Sequence, residues 1–185
     1  MIPLYVAFAT EGSPYVDELK ELEKTLIQFK LPHHLEILKS QGSWEANCQL
    51  KALLIRKALQ NNSGPVVYLD SDARVVDDPV IMNQIECDIA FHLFRGVELL
   101  SGTLFLGNTQ RCRNLVDQWI DMNRRYPQEW DQRNLQRVVR ANHDLDFLVL
   151  PESYVWIDKL ATVPHPVIKH LQASRRLRKV INADS

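Results

Sequence analysis

The sequence is short of cysteine, of net charge and of long apolar runs, and each shortage removes a class of protein. Its three cysteines, Cys48, Cys87 and Cys112, are odd in number and show no CxxC spacing. That argues against a disulfide framework or a zinc site and for a reducing compartment. No apolar stretch approaches the roughly 18 residues that span a bilayer. The opening MIPLYVAFATEGS has no basic segment before its apolar run, and reads as a first strand instead of a signal peptide. A cytoplasmic location is the expectation. The formal net charge is -1, so nothing draws the whole chain toward nucleic acid or an anionic membrane. Internal repeats, low-complexity segments and domain linkers are missing too.

What is present is an average globular composition, with 45% hydrophobic and 24% charged residues in 185. That suffices for one compact domain with a real core. Leu4–Ala9 is a nearly continuous apolar run, as in a strand buried on both faces. Ser13 and Pro14 supply an N-cap and a first-turn proline. Tyr15, Leu19, Leu22, Leu26 and Phe29 then follow at helical spacing, so residues 14–30 form an amphipathic helix closed by Pro32. Residues 34–39 read as a second strand, 43–60 as a second helix and 66–69 as a third strand.

This β-α-β-α-β opening implies parallel strands whose ligands gather at their C-terminal ends, at residues 10–15, 41–44 and 70–74. Later come a short helix from Asp78-Pro79 and strands at 89–94 and 101–106. Thr109 caps a helix to Arg125, residues 130–141 form another, and 147–150 is a strand. Residues 154–157 suit a sheet edge. Charge is uneven only at the end, where Lys169, Arg175, Arg176, Arg178 and Lys179 occur without an acid.

The chemistry-bearing motif is Val66-Val67-Tyr68-Leu69-Asp70-Ser71-Asp72. A buried strand delivers two carboxylates at its exposed end, and with period-two alternation Asp70 and Asp72 converge on one ion. Hard oxygen ligands suit Mg²⁺ or Mn²⁺, which complete their shells with water and phosphate. A turn of Asp and Ser after a strand accounts equally for the motif taken alone.

Trp44-Glu45-Ala46-Asn47-Cys48-Gln49-Leu50-Lys51 followed by the 67–72 motif resembles the GT-A nucleotide-sugar glycosyltransferases. It is similar to the glycogenin-like and galactosyltransferase-like groups, in which a donor-binding helix precedes a YLDxD strand. Ser101-Gly102-Thr103 resembles their strand beside the donor sugar, and Trp130-Asp131-Gln132 their helix start near the reacting centre. The resemblance spans roughly the whole chain. It implies an α/β GT-A (Rossmann-like) fold, with a mixed, mostly parallel sheet flanked by helices. Residues 1–75 would be a nucleotide-binding half, 76–165 a donor-sugar and acceptor half, and 166–185 a basic tail.

By the same resemblance Asp70, Asp72 and a C-terminal histidine hold Mn²⁺ or Mg²⁺. The family's H-x-x-G-x-x-K-P-W pattern is absent. Of His165 and His170 the latter is favoured, because it leads into the basic stretch where Arg175 can meet a diphosphate. Trp44, Asn47 and Lys51 share one helical face, with Ala46, Leu50, Leu53 and Leu54 assigned to the core. Lys51 would reach a phosphate and Asn47 a ribose or sugar hydroxyl. Thr10 and Tyr15 would meet the base, although Tyr15 also fits the core stripe of its helix. Ser101 and Gly102 lie where donor sugar or strand approaches closely. Asp131 would orient the sugar or act as base with Gln132 assisting, although an acid also suits a helix start.

The implied activity is metal-dependent hexosyl transfer from a nucleotide diphosphate sugar, UDP-sugar favoured, with retention. The acceptor would be a sugar, lipid or protein hydroxyl. A haloacid-dehalogenase-type phosphatase using Asp70 and Asp72, a Toprim-type enzyme using Glu11, and a non-catalytic sugar-nucleotide-binding domain are the alternatives.

Overall fold

The structure is a computed structural model that describes residues 1–158 and 160–173. Arg175 and the basic stretch around it lie outside the described residues.

β1 (Leu4–Thr10) has five of its seven residues buried, as its unbroken apolar run requires. α1 (Tyr15–Gln28) buries Leu19, Leu22 and Leu26 along one stripe. Ser13 does not cap it. Its hydroxyl donates to the Thr10 carbonyl at 2.7 Å, tightening the turn that leaves β1, and Pro14 holds the cap position without a side-chain bond. The helix ends in a Schellman motif, with Leu31 N–H donating to Leu26 O and Lys30 N–H to Ile27 O. Lys30 takes the left-handed conformation there, φ 54°.

β2 (His33–Leu38) follows, then α2 (Trp44–Asn61), capped as expected by Ser43, whose hydroxyl accepts from Ala46 N–H. The buried face of α2 runs through Asn47, Lys51, Leu54, Ile55, Ala58 and Leu59. Leu53, expected in the core, points outward and is half exposed, because the stripe passes through Lys51 instead.

β3 (Val66–Leu69) is wholly buried. The short β4 (Ala73–Val75) was not foreseen, and the expected helix after Asp78-Pro79 is a single 3-10 turn, Val80–Asn83. β5 (Ile89–Phe94) and β6 (Glu98–Leu106) form a hairpin, so β6 begins three residues before the expected strand. α3 (Gln110–Arg125), capped by Thr109, and α4 (Asp131–Ala141) come next. β7 (Phe147–Val149), β8 (Trp156–Ile157) and β9 (Ile168–His170) complete the described chain.

The main sheet has the order β2-β1-β3-β6-β5-β7. β2, β1 and β3 are parallel neighbours, β6 runs against both β3 and β5, and β7 is parallel to β5. One strand of six is therefore reversed. A smaller sheet, β4-β9-β8, lies beyond the end of β3. Residues 156–157 thus join this second sheet and not the edge of the first. Two apolar clusters fill the two faces. One packs α2, α3 and α4 through Ile55, Leu104 and Trp119; the other packs α1 and the small sheet through Tyr5, Leu22 and Ile168.

Candidate active site

The C-terminal ends of β1 and β3 open into a cavity of about 530 Å³ lined by Thr10, Tyr15, Trp44, Asn47, Lys51, Asp70, Asp72, Ser101, Gly102, Asp131, Gln132 and His170. Every candidate site residue within the described chain lines it. Segments far apart in sequence meet here because a parallel sheet delivers its loops to one edge.

Asp70 follows β3 directly and Asp72 sits in the turn after it, closed by Ala73 N–H donating to Asp70 O at 2.9 Å. A tight turn, not continued strand alternation, brings the two carboxylates together. β4 then pairs antiparallel with β9, setting Ala73 opposite His170. Leu171 N–H donates to Asp72 O and Ala173 N–H to Asp72 Oδ2, at 3.2 and 2.7 Å. Ligand atoms of Asp70, Asp72 and His170 all lie within 4.8 Å of one another, the one such cluster among the described residues.

The cluster fits a divalent cation in two further respects. His170 Nδ1 faces Asp72 Oδ1 at 3.7 Å, while its Nε2 shares a hydrogen bond of 2.8 Å with Thr103 Oγ1. A partner on the second ring nitrogen fixes the orientation of a metal-binding imidazole. Gly102 leaves the space open: a Cβ there would stand 2.9 Å from His170 Cε1 and 3.2 Å from Asp70 Oδ2. Burial opposes ionisation of Asp72, yet the His170 contact and Ala173 N–H outweigh it and hold its carboxyl below the usual range.

Beside this cluster stands a buried charge network. Lys51 Nζ lies 2.9 Å from Asp131 Oδ2 and 3.1 Å from Asp70 Oδ1, and donates to Ser101 Oγ at 2.9 Å. Tyr68 adds a hydroxyl bond to Asp70 Oδ1 at 3.1 Å, and its ring lies under the ammonium. Burial disfavours the Lys51 charge, but Asp131 and Asp70 together raise its proton affinity above that of a free lysine. Asp131 is itself pushed up, by burial first and the Asp70 charge second, against the pull of Lys51. Its backbone is fixed by Trp119 Nε1 donating to Asp131 O at 2.8 Å.

The other candidates hold the frame. Asn47 Oδ1 accepts from Gln41 N–H at 2.7 Å, securing the loop before α2. Gln132 Oε1 accepts from Ser101 N–H at 3.2 Å, and its Nε2 donates to Glu98 at 3.0 Å. Burial pushes the Tyr15 hydroxyl up to about 12. Ser101–Thr103 reach the site because β6 breaks register with β5 between Ala90 and His92, an irregularity common beside active sites. His165 is not part of the cluster.

Tyr68 and Thr103 are the residues sequence reasoning passed over. Both carried a signal. The spacing that pairs Asp70 with Asp72 also pairs Tyr68 with Asp70, and Thr103 ends a small polar triplet inside an apolar strand.

No family model and no curated protein matches this chain. Solved structures do. A glycosyltransferase involved in glycosylation of the major capsid of PBCV-1 superposes with a TM-score of 0.73 at 15% identity, over 97% of this chain and 99% of that one. Glycosyltransferase GlyE of Streptococcus pneumoniae TIGR4 gives 0.64 at 16% identity, over 97% of this chain. Its apo form gives 0.67 at 16% identity, over 98%. The chain spans 60% of GlyE in the first of these structures and 59% in the second. No helix among the described residues is long and apolar enough to cross a membrane. The strand order, the single reversed strand and these superpositions give one conclusion: the chain has the GT-A-like fold of glycosyltransferases.

Proposed function

We propose that this protein is a metal-dependent glycosyltransferase that moves a hexosyl group from a nucleotide diphosphate sugar to a hydroxyl acceptor. The observation that carries the reading is the convergence of Asp70, Asp72 and His170 beside the Lys51–Asp131 pair on one cavity. Asp70, Asp72 and His170 would hold Mn²⁺ or Mg²⁺. Such an ion neutralises the diphosphate leaving group.

The remaining steps belong to the chain's own residues. Thr10, the last residue of β1, and Tyr15, the first of α1, form the wall assigned to the base of a UDP-sugar. Asn47 secures the neighbouring loop before α2. Lys51 holds Asp70 and Asp131 in place, and Asp131 with Ser101 and Gly102 orients the sugar. Gln132 braces Ser101 from α4. In the reaction the acceptor oxygen bonds to the anomeric carbon. The carbon–oxygen bond to the diphosphate breaks with its electron pair left on phosphate, and the hydroxyl proton passes to that diphosphate. Retention of anomeric configuration follows from the resemblance to glycogenin-like enzymes and is read directly by proton NMR of the product.

The test is calorimetric titration of UDP with Mn²⁺ or EDTA, paired with turnover of UDP-hexoses. Asp72→Asn should reduce turnover by about 10²–10³-fold, the size of losing one preorganised electrostatic contact to the leaving group. Gly102→Ala, which fills the space between His170 and Asp70, should weaken metal-dependent UDP binding without unfolding the protein. Full activity in Asp72→Asn would refute the metal assignment.

A further inference from the structure

Two indoles stand at the mouth of the cavity, and the donor chemistry above does not use them. Trp44 opens α2 and Trp130 precedes α4. Their rings meet edge to face, with centroids 5.6 Å apart at 80°, and both line the cavity. Trp130 keeps 37% of its surface exposed, next in sequence to the buried Asp131.

The position of Trp130 is built, not incidental. From α2, Gln49 Nε2 donates to the carbonyls of Tyr126, Pro127 and Glu129, at 3.3, 3.1 and 3.1 Å. One amide thus clamps the loop that carries the indole. Arg133 lies over the Trp130 ring at 5.5 Å. At the same mouth the exposed Glu98 accepts from Gln132, giving an amide–carboxylate pair.

A rigid aromatic surface beside an amide–carboxylate pair recognises a sugar ring. The C–H face packs on the indole, and neighbouring hydroxyls exchange hydrogen bonds with the polar pair. An acyl chain would find apolar wall in Phe8, Phe94, Leu100, Ile157 and Leu160, but would leave the exposed Glu98–Gln132 pair at the mouth unmatched. A peptide would favour an exposed strand edge; the apolar edge strand β7 is separated from β3 by β6 and β5, and the edge strand β8, whose Ile157 lines the cavity, is only two residues long.

We infer that the Trp44–Trp130 corner is the acceptor subsite and that the acceptor is a saccharide. This rests on the glycosyltransferase reading. A hydroxyl of the stacked sugar forms the new bond to the anomeric carbon, the diphosphate leaves with the bonding pair, and it carries off the hydroxyl proton.

Indole NMR of ¹⁵N-tryptophan-labelled full chain tests this, because the four tryptophans give separate Nε1–H signals. Lactose, maltose and cellobiose are the saccharide probes. A serine/threonine peptide and dodecylphosphocholine micelles are the rivals, and UDP with Mn²⁺ reports the donor site. At least one disaccharide should move the Trp44 and Trp130 signals and leave the buried Trp119 in place. Trp130→Ala should remove the response at Trp44 and raise the acceptor KM about tenfold, as expected for one lost aromatic contact, with a far smaller change in donor KM. Trp130→Phe, which keeps a stacking ring, should restore most of it.

Bound UDP with no disaccharide response overturns the acceptor subsite and leaves the donor reading standing. A response to peptide or micelle alone overturns it as well. Disaccharide shifts in a protein that binds no UDP would make the corner a plain sugar-binding site, and both readings would fall.

Discussion

A buried ammonium paired with a buried carboxylate loses hydration on both groups, and only close contact recovers the loss. Lys51 meets that condition at 2.9 Å from Asp131 and 3.1 Å from Asp70, with Ser101 and the Tyr68 ring completing its shell. Removing the cation leaves Asp131, itself buried, facing Asp70 with nothing between them. Lys51→Met should therefore destabilise the fold by about 3–5 kcal/mol, measured by urea denaturation. Adding Asp131→Asn should recover part of that loss, because the orphaned charge goes with it. A Lys51→Met protein as stable as the parent would mean that Asp131 takes up a proton at no cost. The sequence spacing placed Lys51 correctly on the face with Trp44 and Asn47. It could not show that the face turns inward, since a lysine in a helical stripe is ordinarily solvated.

Between elements, the clearest joint is Asp88, almost wholly buried just before β5. Its carboxylate accepts from Thr109 Oγ1, from Arg111 Nε at 2.6 Å and from Asp146 N–H at 2.9 Å. One side chain thereby ties β5 to the start of α3 and to the loop before β7. Burial resists its ionisation, but these donors outweigh burial and lower its proton affinity below the ordinary value of 3.8. The sign follows: the unfolded chain binds the proton more tightly, so the stability is present above that value and is lost as pH falls through the folded one. Asp88→Asn should cost about 2–3 kcal/mol at neutral pH, the penalty for mispairing a buried charged hydrogen-bond set, and the gap to wild type should narrow below pH ~4. Parallel melts at pH 7 and in acid read both; a gap constant across pH would show that Asp88 acts through shape alone. Elements of this kind divide cleanly by legibility. The long helices and β1, β3 and β5 showed in the apolar pattern because each buries a full face. β4 and β9, three residues each, are too short for any period to register, so the pairing that carries His170 to Asp72 was invisible until the chain was folded.

At the scale of the whole molecule, the α/β opening and the cavity at its strand ends followed from three parallel strands, because sheet topology alone dictates where their loops gather. The reversal of β6 and the second small sheet did not, since non-local pairing leaves little trace in local pattern. The candidate metal site needs both sheets: Asp70 comes from the end of β3, His170 from β9. A cation held there with a nucleoside diphosphate should therefore stabilise the joint between the sheets as well as the donor loops, and binding to the native state alone raises its melting point. At a ligand concentration of 100 Kd the gain is about 2.7 kcal/mol. For a domain of this size each kcal/mol moves Tm by about 2–4 °C, so UDP with Mn²⁺ should raise Tm by roughly 5–10 °C. EDTA should cancel the shift. His170→Ala should shrink it while changing the ligand-free Tm less, because Asp72 still holds Leu171 and Ala173 through their backbone N–H groups. A shift that survives EDTA unchanged would place the nucleotide away from Asp70, Asp72 and His170, and the joint between the two sheets would then have no part in binding it.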